Sequence, residues 1–235
     1  DAVLLSLKTL ASFRMDGVCL LPFVRDCLVH YLDHESVFVR QEAVVACCRL
    51  LVDPKREHEV ALRGPSAAMV QEVLQRLLQV ALADPERTVR QKLLNEIKPH
   101  FDRFLRQPVH LETLFLFLSD EDLHIRIETV KLLGRLALLN PGFVLPPLRQ
   151  TLMRLIIELQ LQSDTNAKEQ AAWLLSEFLR AEALHRLVRP FMRTIVDVLP
   201  LRGKARLATV ALEALGELCL VMGEEMMPYF QQLMP

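Results

Sequence analysis

The sequence predicts an all-α, right-handed solenoid of antiparallel helix pairs, and three observations carry that reading. The first is a phrase that returns five times, an apolar or small residue followed by a base: Val39-Arg40, Val89-Arg90, Ile125-Arg126, Ala167-Lys168 and Ala205-Arg206. The bases stand at 40, 90, 126, 168 and 206, so the intervals are 50, 36, 42 and 38 residues. The second is helical periodicity of the apolar residues, seen at its clearest in residues 119–146, SDEDLHIRIETVKLLGRLALLNPGFVLP. There Ser119, Asp120 and Asp122 offer side-chain oxygens to a helix start. Ile125, Val130, Leu132, Leu133, Leu136 and Ala137 then form one broad apolar face. The third is composition: 7 Gly and 6% aromatic residues in a chain that is 51% hydrophobic suit packed helices better than sheets.

A period of about 40–47 residues with two helices in each is that of HEAT and armadillo arrays. The expectation is therefore one continuous HEAT-repeat, armadillo-like array over 1–235. It would hold about five full units, with partial units at two cut ends.

Taken in order, residues 2–13 read as the second helix of a unit whose first is missing. Pro22 to Tyr31 is a first helix, with proline in its opening turn, where a missing N–H costs least. Val37 to Val52 is its partner. Residues 53–65, DPKREHEVALRGP, are polar and bounded by prolines, and read as an exposed insertion that explains the long 50-residue interval. Ser66 to Ala83 and Thr88 to Ile97 form the next pair, the second stopped by Pro99. His110 to Leu118 opens the following unit, which closes near Leu139; Asn140-Pro141-Gly142 turns the chain. Phe143 to Leu161, Asn166 to Arg180, Leu184 to Leu199 and Lys204 to Met222 complete the set, and Glu224 begins a further helix.

The balanced charge of −1 provides no whole-molecule field for nucleic acid or an acidic membrane. The five cysteines, at 19, 27, 47, 48 and 219, form no CxxC pair and lie mostly in apolar runs, so a reducing compartment fits. The apolar stretch from Leu136 to Leu148 contains three prolines and falls short of the roughly 20 residues that span a bilayer. A soluble intracellular segment with no transmembrane helix is expected.

The candidate sites are structural before they are chemical. An aspartate stands six residues before the base in two units, Asp84 to Arg90 and Asp120 to Arg126, and four before it in a third, Asp164 to Lys168. Each aspartate would cap its own helix, and each base would reach a neighbouring repeat's aspartate, making a ladder that fixes the stacking register. His34-Glu35 and His58-Glu59 have the composition of a metal site, as in HEAT-like hydroxylases. They are out of phase with the repeat, though, and Leu62 stands where H-E-x-x-H needs its second histidine. Arg180, His185, Arg186, Arg189, Arg193, Arg202, Lys204 and Arg206 make the last third basic. Arg186, Arg189 and Arg193 would share a helix face that could meet phosphate, a phosphoinositide or an acidic partner, although Glu177, Glu182 and Asp197 interleave and a solvated ridge is the plainer reading. Trp173 reads as core, as do Cys47 and Cys48. No phosphate loop, nucleophile elbow or kinase signature appears, so no catalytic, cofactor or metal residue is assigned.

The wording resembles the middle helical-repeat region of the target-of-rapamycin (TOR) protein kinases. The phrases that carry this are LKTLASF at 7–13, FVRDCLVHYLDHESVFVRQEAVVACCRLL at 23–51, LADPERTVR at 82–90, NPGFVLPPLR at 140–149 following LLGRLA, KEQAAWLLSEFLR at 168–180, LVRPFMRTIVDVL at 187–199 and LGELCLVMGEEM at 215–226. The stretches 53–65 and 200–204 depart from that pattern. The resemblance implies a scaffold upstream of the FAT and kinase domains of an ATP-dependent serine/threonine kinase that controls growth. It implies homodimer assembly with a second TOR protomer and docking of raptor-type or rictor-type subunits. It also implies a cytoplasmic protein recruited, within its complex, to lysosomal or vacuolar surfaces. An importin-type or phosphatase-scaffold adaptor would share the fold, and a metal-dependent or nucleic-acid enzyme on it would need a polar constellation on the concave face.

Overall fold

A computed structural model describes residues 2–12, 20–51, 65–201 and 204–229. The insertion expected at 53–65 lies, except for Pro65, outside the described residues, as do Cys19, His58, Glu59 and Arg202. The described residues are helices, 3-10 turns and short connections, with no strand among them. The chain divides into two compact units, residues 1–128 and 129–235.

The first unit contains α1 (Ala2–Ser12), α2 (Leu21–Asp26), α3 (Val37–Leu50), α4 (Pro65–Ala83), α5 (Arg87–Glu96), α6 (Asp102–Leu105) and α7 (Pro108–Phe117). α1 packs on α3 and α3 on α5, so the second helices of successive repeats stand side by side. α2 packs on α4 and α4 on α7, a parallel row made from the first helices. Leu74, Leu77, Leu93, Leu105, Leu111 and Phe117 are buried between these rows. The predicted helix from Pro22 to Tyr31 is broken at Cys27, whose φ of −124° leaves α geometry, and Leu28–Asp33 continues as a 3-10 helix. Residues 99–105, unassigned from sequence, form a 3-10 turn and α6, which seat Phe101, Phe104 and Leu105 in the core.

The division between the units falls within α8 (Leu123–Leu139), a single continuous helix. The second unit continues with α9 (Pro141–Leu161), α10 (Thr165–Arg180), α11 (His185–Val188), α12 (Met192–Val198) and α13 (Ala205–Met222), followed by a 3-10 turn over Gly223–Tyr229. α10 packs on both α9 and α13, and α12 packs on α9. α9 begins two residues before the predicted Phe143, because Pro141 is well suited to a first helical position. α10 starts at a true cap: Asp164 accepts from the N–H groups of Asn166 at 3.2 Å and Ala167 at 3.1 Å. The predicted helix from Leu184 to Leu199 is three short pieces. A 3-10 turn at Arg189–Phe191 separates α11 from α12, where Pro190 lacks the N–H that a continuous α-helix would need. Gly134 permits a close approach, since a Cβ there would stand 3.0 Å from that of Ala181.

Candidate docking surface

In the first unit arginines form a ladder between successive loops, and each rung has two parts. Arg40, in the first turn of α3, donates from Nε to Asp84 Oδ2 at 2.7 Å and from Nη2 to Asp84 Oδ1 at 3.0 Å. Its Nη1 ties down the carbonyls of His34 and Glu35 in the loop before its own helix. Arg90, in α5, repeats the arrangement one unit on. Its Nη1 holds the carbonyls of Asp84 and Pro85, while Nε lies 2.9 Å from Asp120 Oδ2 and Nη2 reaches Glu121. One arginine thus fixes its own loop and the next loop together. The hydrogen bonds that Arg40 donates to Asp84 raise its pKa, outweighing burial. At Arg90 burial is the largest influence and acts downward, yet Asp120 and Glu121 bring the net shift upward.

The aspartates also work locally. Asp84 Oδ1 accepts the N–H of Glu86 at 2.9 Å, and Asp120 Oδ1 accepts that of Asp122 at 2.9 Å. His34 occupies the same place six residues before Arg40, and its Nδ1 accepts the N–H of Ser36 at 3.0 Å. The histidine is the first repeat's stand-in for the turn-forming aspartate, which gives His34 a structural role. The equal spacing, 34 to 40 beside 84 to 90 and 120 to 126, was a signal available in the sequence. Asp122 makes a further link. Burial pushes its pKa up, but the hydrogen bond from Arg87 and the N–H groups of Ile125 and His124 pull it below the usual carboxylate value. Arg126 sits at the equivalent position in α8, half-buried.

In the second unit the chemistry changes hands. Asp164 caps α10, but the Lys168 side chain makes no hydrogen bond or ion pair to a described residue. The contact between α10 and α13 is made by Arg206 Nε to Glu169 Oε1 at 2.6 Å and by Arg180, which joins Glu217 at 2.8 Å and Glu177 at 2.7 Å. A lysine is a point charge on a flexible stem, whereas a guanidinium fork can join two partners in fixed directions. Arg186, Arg189 and Arg193 are all exposed, but the break at Arg189–Phe191 means that they do not share one continuous helical face. Arg189 lies 3.5 Å from Glu225.

His34, Glu35, Arg40, Arg76, Asp84 and their neighbours line a cleft of about 410 Å³. Both of its arginines are paired, Arg40 with Asp84 and Arg76 with Asp33. No group of three or more metal-ligating side chains occurs among the described residues. Trp173 is half-buried, less enclosed than expected, beside fully buried Leu174 and Phe178. Burial pushes the Cys47 thiol up to about 12 and the Cys48 thiol well up. No helix among the described residues is long and apolar enough to cross a membrane. Exposed apolar side chains include Phe38 on α3, Leu116 on α7, Leu220 on α13, and Met153, Ile157 and Leu161 on α9.

No family model matches the chain. It is 34% identical over 216 residues, 91% of its length, to serine/threonine-protein kinase TOR2 of Saccharomyces cerevisiae. It is 32% identical over 232 residues, 96% of its length, to serine/threonine-protein kinase tor1 of Schizosaccharomyces pombe. Against serine/threonine-protein kinase TOR of Arabidopsis thaliana the identity is 33% over 250 residues, covering 99% of this chain. The chain spans about a tenth of the length of these curated relatives, 9%, 10% and 10% respectively. Among solved structures, a designed armadillo repeat protein aligns with 92% of this chain and 92% of its own, at 16% identity and a TM-score of 0.47.

Proposed function

Because the chain is homologous along nearly all its length to one segment of the TOR serine/threonine kinases, we propose that it is the helical-repeat scaffold segment of such a kinase. In this reading its work is geometric. Stacked helix pairs hold a shaped surface on which the homodimer assembles and raptor-type or rictor-type subunits dock. The ATP-dependent kinase activity belongs to the parent protein, and no residue of this chain is given a catalytic, cofactor or metal role. The complex acts in the cytoplasm and at lysosomal or vacuolar surfaces, reaching them through its partners.

The observation that carries the proposal is similarity over 91–99% of the chain to TOR kinases of two yeasts and a plant. Two features support it. Arginine-centred rungs fix the loops of successive repeats, which gives an extended surface a defined register. Large apolar side chains also remain exposed on several helices.

Co-expression with raptor-type and rictor-type subunits tests the proposal. Co-elution with one of them, and a dimer mass by light scattering, are expected. Elution as a monomer apart from both subunits would overturn it.

A further inference from the structure

The outer face of α9 combines apolar and cationic groups in an unusual order. Met153, Ile157 and Leu161 recur at four-residue spacing and are 38%, 49% and 74% exposed. They span nine residues, eight rises of about 1.5 Å or about 12 Å of helix axis. The opposite face of the same helix is fully occupied, with Leu148, Leu152, Ile156 and Leu159 buried against the unit's interior. The stripe is therefore extra to what the fold needs. α4 shows the contrast: it is of similar length, and its outward positions 72, 76 and 79 are Glu72, Arg76 and Gln79, polar and solvated.

Arginines bracket the stripe. Arg149 lies on one side, its guanidinium 5.7 Å from the centroid of the Phe191 ring and so held toward α11 and α12. Arg154 lies on the other, with only a loose 3.8 Å contact to Glu158. On α11 and α12 the side chains of Arg186 and Arg193 are exposed and make no hydrogen bond or ion pair to a described residue. An apolar line two turns long, bordered by Arg149 and Arg154 against the one acid Glu158, is the complement of an amphipathic helix whose apolar face is bordered by acids.

We propose that the outer face of α9 docks an acidic amphipathic helix of a protein partner. The proposal rests on the scaffold reading and adds the site and the chemistry of what binds there. Met153, Ile157 and Leu161 take the ligand's apolar positions, with methionine adapting its shape to them. Arg149 and Arg154 select its charge. Binding weakens as salt is raised, because the selecting charges are exposed.

The test uses the 235-residue chain and two labelled helical peptides of about 18 residues. Both carry leucines at one helical face, bordered by glutamates in one and by lysines in its twin. Fluorescence anisotropy is expected to show the glutamate peptide binding about tenfold or more tightly than the twin. Ile157→Asp should weaken it by about tenfold without changing the melting temperature, because the side chain lies outside the core. Arg149→Glu with Arg154→Glu should invert the preference toward lysine. Equal binding of the twins, no binding of either, or indifference to Ile157→Asp would overturn the proposal. If those peptide results fail while a raptor-type or rictor-type subunit still co-elutes, the α9 site falls alone. If the peptide behaves as expected and neither subunit co-elutes, the scaffold reading falls and the site stands.

Discussion

Arg40 and Asp84 are 44 residues apart in sequence, yet they are joined by two parallel hydrogen bonds, and their side chains are 11% and 2% exposed. A bidentate pair so placed differs in kind from Arg206 and Glu169, whose arginine is 82% exposed. Asp84→Ala should cost about 3 kcal/mol, because it removes the carboxylate that faces a largely buried guanidinium and leaves Arg40 Nε and Nη2 without their acceptors. Arg40→Lys should restore little of the loss incurred by Arg40→Ala. Arg206→Ala should cost about 1 kcal/mol or less. Urea unfolding of the variants checks all three.

His34 holds its turn with the same N–H acceptance that Asp84 and Asp120 use. His34→Asp should therefore leave stability within about 0.5 kcal/mol, while His34→Ala should cost about 1 kcal/mol by removing the acceptor. Thermal melts of the pair decide it. Equal losses would show that the ring, not the acceptor, is what matters.

His110 is buried in α7, and neither ring nitrogen has a hydrogen-bond partner among the described residues. Burial lowers its pKa from the ordinary 6.5. The unfolded chain therefore takes up this proton more readily than the folded one, and stability rises with pH. The contribution is fully present above 6.5 and is lost as pH falls below that value through the lower folded one. Melting temperature should drop by a few degrees between about pH 7 and about pH 5.5. His110→Leu should flatten that dependence over the same interval.

Ile125 is fully buried in the first turn of α8. Ile125→Asp places a carboxylate where no water reaches it, at a cost of about 3–5 kcal/mol. Loss of the cooperative melt, followed by circular dichroism, is the expected outcome.

Most helices were legible because their apolar spacing and their caps agree. Asp164 before α10 and Asp122 before the run around Ile125 each give two signals for one boundary, whereas Pro141, read as part of a turn, is the first residue of α9. Where the signals separate, the reading failed. The 3-10 turn at Arg189–Phe191 interrupts an apolar pattern that looked continuous, because periodicity reports which residues face inward and not whether a proline breaks the ladder between them. α6 went unassigned because four residues are too few to show a period. The rungs of the ladder were visible as spacing at Asp84 and Asp120, yet His34 was weighed as a metal ligand because its residue type hid its position. Lys168 shows the converse: it stands in the repeated phrase, but four residues after its aspartate instead of six, and it lacks the fork needed to span two loops. The α9 stripe was invisible for a simple reason, since an exposed isoleucine and a buried one are the same letter.

The rungs of the first unit all point one way along the chain. Arg40 leans on a loop that comes later, and so does Arg90. Losing a downstream repeat would strip the partner from the guanidinium before it, while losing an upstream repeat would leave the following loop with its own N–H contacts intact. Fraying should therefore run unevenly, travelling from later repeats toward earlier ones more easily than the reverse.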